Sequence, residues 1–206
     1  IIDDNDNPLI IKVASIPAAR MQVYFLDNEE YFQRKYVFTD KDNKFYADND
    51  ERTIFFCKGA LETVKKLGWS PDVVHCHGWM SALVPVYIKT TYKDDPTFKN
   101  SKVIYSVYEN DPVVKLNSEF ARKAVMNDMT EEHMEAFKPG DSDALHIGAI
   151  GFSDAVVYGS DTVSEEVLKF VKKANKPTLE YISTSDFENY YNLYEEIANE
   201  ELVSLA

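Results

Sequence analysis

The sequence predicts an open α/β domain, with a mostly parallel sheet and helices on both faces. Three observations carry that expectation. Over the last two thirds of the chain, short β-branched apolar runs alternate with stretches of helical periodicity, as βα units do. The runs "DVVHCH", "KVIYSVY" and "DAVVY" lack the polar alternation of a half-exposed strand, which suits strands covered on both sides. Helix starts and stops are marked, with acidic residues at the beginnings and Gly68 or Asn175 at the ends.

Taken in order, "LIIKVAS" and "MQVYFLD" read as two strands joined through "IPAAR", a hairpin. The segment "NEEYFQRKYVFTDKDNKFYADND" has no sustained period and reads as a surface loop region with at most one strand, at Tyr36 to Thr39. From Asp50 a helix is expected, with Ile54, Leu61 and Val64 on one face and Gly68 as its stop. "DVVHCH" is then a buried strand, "SALVPVYIKTTY" a helix bending at or beginning near Pro85, and "KVIYSVY" the next strand, which together make a βαβ unit.

Between Asn110 and His146 the composition is helical but broken by "KPGDSD", so two or three short helices are expected. "FSDAVVYGS" supplies a third parallel strand, "TVSEEVLKFVKKAN" a capped helix ending at Asn175, and "KPTLEYIS" a fourth strand. The last segment starts at a Thr/Ser/Asp cap and carries Phe187, Tyr190, Tyr191 and Tyr194 at helical spacing, a stripe expected to pack into the core. The whole is Rossmann-like.

Composition narrows the function classes. A formal charge of −13 over 206 residues speaks against nucleic acid or an anionic membrane surface as partner, because both are engaged through clustered Lys and Arg. No apolar run is long enough to span a bilayer, and no basic and apolar leader opens the chain. Cys57 and Cys76 are too few for a disulfide framework, so a reducing, cytoplasmic setting is expected. The chain opens without an initiator Met and is expected to start part-way through a longer product.

Candidate chemistry gathers where strands end, because ligands of open α/β sheets sit beyond the carboxyl ends of the strands. His75 and His77 lie two apart on a strand and share a face, with Cys76 on the other. Two imidazoles are half of a zinc set, but no third ligand is spaced to complete it, so imidazoles hydrogen-bonded to backbone are expected, and no metal. Gly78 heads the next helix, where free N–H groups would suit a phosphate or a sugar hydroxyl. Neither a dinucleotide fingerprint nor a P-loop is present, and no cofactor is expected. After the next strand Tyr108, Glu109, Asn110 and Asp111 stand together, either a polar loop or a set that binds sugar hydroxyls. No Ser/His/Asp or Cys/His arrangement follows from the spacing.

One stretch supports more. "DNDERTIFFCKGALETVKKLGWSPDVVHCHGWMSALVPVYIK" resembles the glycogen and starch synthases, retaining glucosyltransferases of family 5. Asp50, Arg52, Pro71, Asp72, His75, His77, Trp79, Leu83, Val84 and Pro85 stand at matching positions. "SKVIYSVYEN" resembles the family strand that ends in Thr-Val-His-Asn, and "FSDAVVYGSDTVSEEV" the family segment around Thr-Val-Ser. The likeness covers most of Ile11 to Val167.

The resemblance implies one half of a GT-B-type enzyme, the N-terminal acceptor-side domain. It implies an α-1,4-glucan acceptor, a sugar nucleotide such as ADP-glucose or UDP-glucose, and substrate contacts at His75, His77, Gly78, Trp79, Tyr108, Glu109 and Asn110. Residues 1–206 are then expected to form one such domain, incomplete at the N-terminus and without the C-terminal sugar-nucleotide domain. The chain departs from the family at three cleft positions: Gly78 stands for an Asp, Tyr108 for a His and Glu109 for an Asn. Which residues would be catalytic is therefore open, and a non-catalytic relative that binds glucan or a partner protein is the alternative reading.

Overall fold

The computed structural model describes residues 2, 6–109, 114–182 and 187–203. Strands β1 (Ile10–Ile16) and β2 (Met21–Asp27) form the expected antiparallel hairpin, with Ile10 opposite Asp27 and Ile16 opposite Met21. A 3-10 turn over Pro17–Ala19 connects them, and Arg20 takes the left-handed conformation that closes it.

The following segment corrects the loop expectation. Asn28 caps a one-turn helix, α1 (Glu29–Phe32), by accepting from the backbone N–H groups of Glu30 and Tyr31. No strand forms at 36–39; Thr39 and Phe45 make one isolated bridge around a turn in which Asp40 accepts from the N–H groups of Asp42 and Lys44. Nor is the segment all surface, since Tyr31 is buried and Phe38 and Phe45 pack against the core. Turn geometry, not a strand or helix period, brings these rings inward, so no periodicity announces them.

Helix α2 (Asn49–Leu67) buries Ile54, Cys57 and Leu61 and stops where Gly68, at φ 66°, donates to the Lys65 carbonyl. Strand β3 (Val73–His77) leads through a 3-10 turn, Trp79–Ser81, into α3 (Leu83–Lys89). Pro85 sits in the first turn of α3, where its missing N–H breaks no helical bond. Then come β4 (Lys102–Val107), α4 (Phe120–Ala124), a 3-10 segment at Glu131–Phe137, α5 (Ser142–Gly151) and β5 (Ala155–Tyr158). The chain continues with α6 (Glu165–Ala174), capped by Ser164 and ended by left-handed Asn175, then β6 (Thr178–Leu179) and α7 (Glu188–Val203). The expected fourth strand is thus only two residues long. The Thr/Ser/Asp cap expected before α7 lies outside the described residues.

The sheet runs β3-β4-β5-β6 and is parallel throughout. Successive side chains take opposite faces. Cys76, Val103, Tyr105, Val107, Val156 and Tyr158 join the main core with α2, α3, α5 and α6. Ile104, Ala155 and Val157 face the other way and are covered by Leu193 and Ile197 of α7. Helices therefore lie on both faces, as expected.

The aromatic stripe of α7 is out of phase with its expected role. Phe187 and Tyr191 are 76% and 62% exposed, while Tyr190, Leu193, Tyr194 and Ile197 form the face on the sheet. The aliphatic pair set the phase, because the strands beneath offer small and branched side chains that Leu193 and Ile197 fit.

Candidate functional site

At the end of β3 the backbone turns at Gly78, with φ 70° and ψ 176°, a region open essentially to glycine alone. Its N–H donates to the Ser106 carbonyl on β4 at 3.1 Å, and its carbonyl accepts from the N–H and hydroxyl of Ser81. The Gly78 N–H is therefore spent on the turn, which opens a three-residue 3-10 segment, and the N–H groups of Ser81 and Ala82 are used within it. Trp79 is 6% exposed and turned into the core, its ring 4.8 Å from Phe38 and 5.8 Å from Phe45. It forms the wall behind the strand end.

His75 and His77 do share a face, and their rings stack with centroids 4.1 Å apart. Their partners are side-chain hydroxyls, not the backbone groups expected. His75 Nδ1 bonds the Tyr194 hydroxyl at 2.6 Å and its Nε2 the Ser106 hydroxyl at 2.7 Å. His77 Nδ1 bonds the Tyr108 hydroxyl at 2.9 Å. Burial, with His77 beside it, pushes His75 down to about 3, and burial lowers His77 as well. Both imidazoles are neutral near pH 7.

Tyr108 continues β4 and lies on Gly159 at the end of β5. A Cβ on Gly159 would stand 2.4 Å from the Tyr108 ring, so the glycine is the notch that seats the phenol. The N–H of Glu109 donates to Ser160 Oγ at 2.7 Å, and its carboxylate accepts from Thr162 Oγ1 at 2.5 Å. Ser160 in turn donates to the Thr162 carbonyl. Asn110 lies outside the described residues.

Sequence reasoning missed a third histidine. His146 of α5 is 2% exposed, holds the Tyr105 hydroxyl at Nδ1 at 2.9 Å and also bonds the backbone of Tyr108. Burial pushes it down to about 4. In sequence it sits beside Leu145 on an ordinary apolar helix, so no spacing singled it out. It forms the floor of a cleft of about 310 Å³ lined by Tyr108, Glu109, Asp143, Thr162 and Ser164. No Lys or Arg among the described residues lines this cleft. Among the described residues no group of three His, Cys, Asp or Glu could hold a metal ion, and no helix is long and apolar enough to cross a membrane.

A parallel sheet covered by helices on both faces, with hydroxyls, imidazoles and a carboxylate gathered at its carboxyl edge, defines a Rossmann-like α/β domain with a polar site at its strand ends. The catalytic domain of starch synthase IV from Arabidopsis thaliana, solved with ADP and acarbose, shares this fold: TM-score 0.65, 17% identity, covering 92% of this chain and 40% of that one. The family model described as starch synthase catalytic domain matches residues 3–178. The glycogen synthase of Chlorobaculum tepidum is 35% identical over 173 residues, which are 81% of this chain and 34% of that protein. That of Chlorobium luteolum is 43% identical over 105 residues, 48% of this chain and 21% of that protein. The chain belongs to the starch synthase catalytic domain family, glycosyltransferase family 5. It spans about a third or less of the length of these curated relatives, and α7 lies beyond the matched segment.

Proposed function

We propose that this chain is one acceptor-side domain of a glycogen or starch synthase-type glucosyltransferase and that it binds an α-1,4-glucan at the carboxyl edge of its sheet. The carrying observation is the convergence of His77, Tyr108 and Glu109 from two strand ends beside a cleft with no Lys or Arg among its described lining residues. An uncharged polyol asks for neutral donors and acceptors, which hydroxyls and neutral imidazoles supply; a nucleotide diphosphate asks for cations or open backbone N–H groups, and Gly78 offers none. The family supports a sugar nucleotide, ADP-glucose or UDP-glucose, as the donor in the complete reaction.

Tyr108 fits acceptor binding better than proton transfer. Burial raises its phenol above the ordinary value, so near pH 7 it stays protonated, a neutral hydrogen-bond partner for a sugar hydroxyl but not a base. Glu109, held by Thr162 and Ser160, accepts from a hydroxyl on the other side.

Calorimetry with maltoheptaose tests the reading. Binding is expected, weakened on the order of tenfold by Tyr108→Phe through loss of one hydrogen bond. No binding at millimolar sugar overturns it and leaves a protein partner as the working idea. Incorporation of labelled glucose from ADP-glucose or UDP-glucose into glycogen would establish transfer by the chain itself and exclude the non-catalytic alternative.

A further inference from the structure

Trp69 and Tyr191 are among the most exposed aromatic rings of the described residues, at 60% and 62%, whereas Trp79, the other tryptophan, is buried. A large ring left in water forgoes the free energy of burial, so two of them at one place mark a surface that meets something. They line the same groove. Trp69 comes from the link between α2 and β3 and Tyr191 from α7, and the space between these elements is about 690 Å³, a size in keeping with ligand sites.

The sequence of α7 builds one wall of it. Tyr191, Tyr194, Glu195, Ala198 and Asn199 all line the groove, at the i, i+3, i+4, i+7 and i+8 positions that share a helix face. Leu193 and Ile197 rest on the sheet instead, so the groove wall is a second face of the same helix, and Ala198 keeps it hollow. Asp72 and Val73 belong to the other wall, where β3 begins at the edge of the sheet. His75 also lines the groove, and the Tyr194 hydroxyl holds its Nδ1 at 2.6 Å.

This lining selects among ligands. No Lys or Arg among the described residues lines the groove, which leaves a phosphate or a nucleotide without a counter-charge. A wholly apolar ligand would cover the carboxylates of Asp72 and Glu195 and give them no hydrogen bond, at a cost. A sugar satisfies both kinds of lining group. The C–H face of a pyranose packs on the electron-rich face of an aromatic ring, and its hydroxyls donate to carboxylates. The amide of Asn199, fixed by donating to the Glu195 carbonyl at 2.8 Å, adds a further polar partner. A basic peptide would also satisfy the carboxylates, but continuity favours the sugar: His75 stacks on His77 at 4.1 Å, and His77 holds Tyr108 of the strand-end site.

We infer that the groove between α7 and the α2–β3 link is a second carbohydrate site, with Trp69 and Tyr191 as its stacking platforms and Asp72, Glu195 and Asn199 as its hydroxyl partners. It goes beyond the strand-end reading and takes from it only the choice of an α-1,4-glucan as the sugar. Its α7 wall lies beyond the family-matched segment, so the family match does not supply it.

Acrylamide quenching of tryptophan fluorescence in the full chain tests it. Trp79 is buried, so the quenchable emission belongs to Trp69, and Trp69→Phe should remove it. Saturating maltoheptaose should lower the quenching constant on the order of twofold, because stacking covers one face of the ring. A neutral ligand makes this protection indifferent to salt. Tyr191→Ala removes an exposed ring; it should leave the urea midpoint unchanged and raise the half-protecting concentration on the order of tenfold. Tyr108→Phe touches the strand-end site alone and should leave the protection as it is. No protection at millimolar maltoheptaose, or protection unmoved by Tyr191→Ala, overturns the inference. So does protection by penta-lysine in place of the sugar, which would make the groove a peptide site. Trp69 also borders a hollow lined by the hairpin, and protection lost in Tyr24→Ala but kept in Tyr191→Ala would put the sugar there and overturn it equally. Protection of Trp69 with calorimetry untouched by Tyr108→Phe would defeat the strand-end reading alone.

Discussion

Gly78 shows how a single residue decides what the strand end can be. At φ 70° and ψ 176° a side chain is strained whatever space surrounds it, although a Cβ there would meet only the Tyr108 ring, at 3.8 Å. Gly78→Asp, which puts back the residue the family resemblance expects, should therefore lower stability by about 1–3 kcal/mol, read as a drop in the urea midpoint at unchanged m-value. A neutral effect would mean that the backbone rotates freely at this corner. Buried histidines have an equally local consequence. His75 and His146 are held at about 3 and about 4, below the ordinary 6.5, so between those values the unfolded chain binds protons that the folded one does not. Their contribution is present above about pH 6.5 and is lost as pH falls towards 4, by about 2 kcal/mol each at pH 5. Asp50, raised by burial, works in the opposite sense at lower pH. Urea unfolding at pH 7 and pH 5 should show stability rising with pH, and a flat profile would contradict the burial of both rings. Of these residues His75, His77 and Gly78 were legible as candidates from the strand-to-helix pattern. His146 was not, because its part in the site depends on α5 crossing behind β4, which is a tertiary fact.

At the scale of elements, caps were the most legible feature and long-range pins the least. Ser164, Asn175 and Gly68 do what their residue types announce, since a cap is a local contest between side chain and backbone. The carboxyl end of α5 is different. Its carbonyls at Ile150 and Gly151, with that of Ser153, receive the ammonium of Lys176 at 2.7, 2.9 and 2.6 Å from just before β6. Nothing in the local sequence marks Lys176 for this, because its partners lie more than twenty positions earlier. Burial lowers its pKa, yet the helix end and the carbonyls favour the cation. Lys176→Met keeps the stem and removes three charge-assisted bonds, and should cost about 2–3 kcal/mol, with faster amide exchange confined to the last turn of α5 and the β5–β6 pairing. Uniformly faster exchange would indicate that the lysine supports the whole sheet instead. The phase of α7 was illegible for a related reason: four aromatics at helical spacing outline a stripe, but the face that docks is chosen by the aliphatic strands beneath it.

Across the whole molecule the sheet divides two unequal layers. The main core holds α2, α3, α5 and α6, and the second layer rests largely on Leu193 and Ile197 of α7 against Ile104, Ala155 and Val157. This thin layer also carries Tyr190 and Tyr194, which flank His75 at ring distances of 6.2 and 5.6 Å. The docking of α7 and the state of His75 should therefore move together. Each Leu or Ile to Ala change in a packed layer costs about 2–5 kcal/mol, and Leu193 and Ile197 are the buried apolar residues by which the described part of α7 is held, with Tyr190 and Tyr194 partly buried beside them. In the Leu193→Ala, Ile197→Ala double variant, α7 should undock while the main core stays folded, exposing Val157 and Ile104 to solvent and returning water to His75. Burial is the leading cause of the low His75 value, so its midpoint in an NMR titration should rise from about 3 towards 6.5. His146, on the opposite face, should keep its value of about 4 and serve as the internal control. If His75 stays low while α7 exchanges freely, the sheet alone buries the ring and the second layer has no hold on the site. A rise at both histidines would mean that the two layers unfold as one.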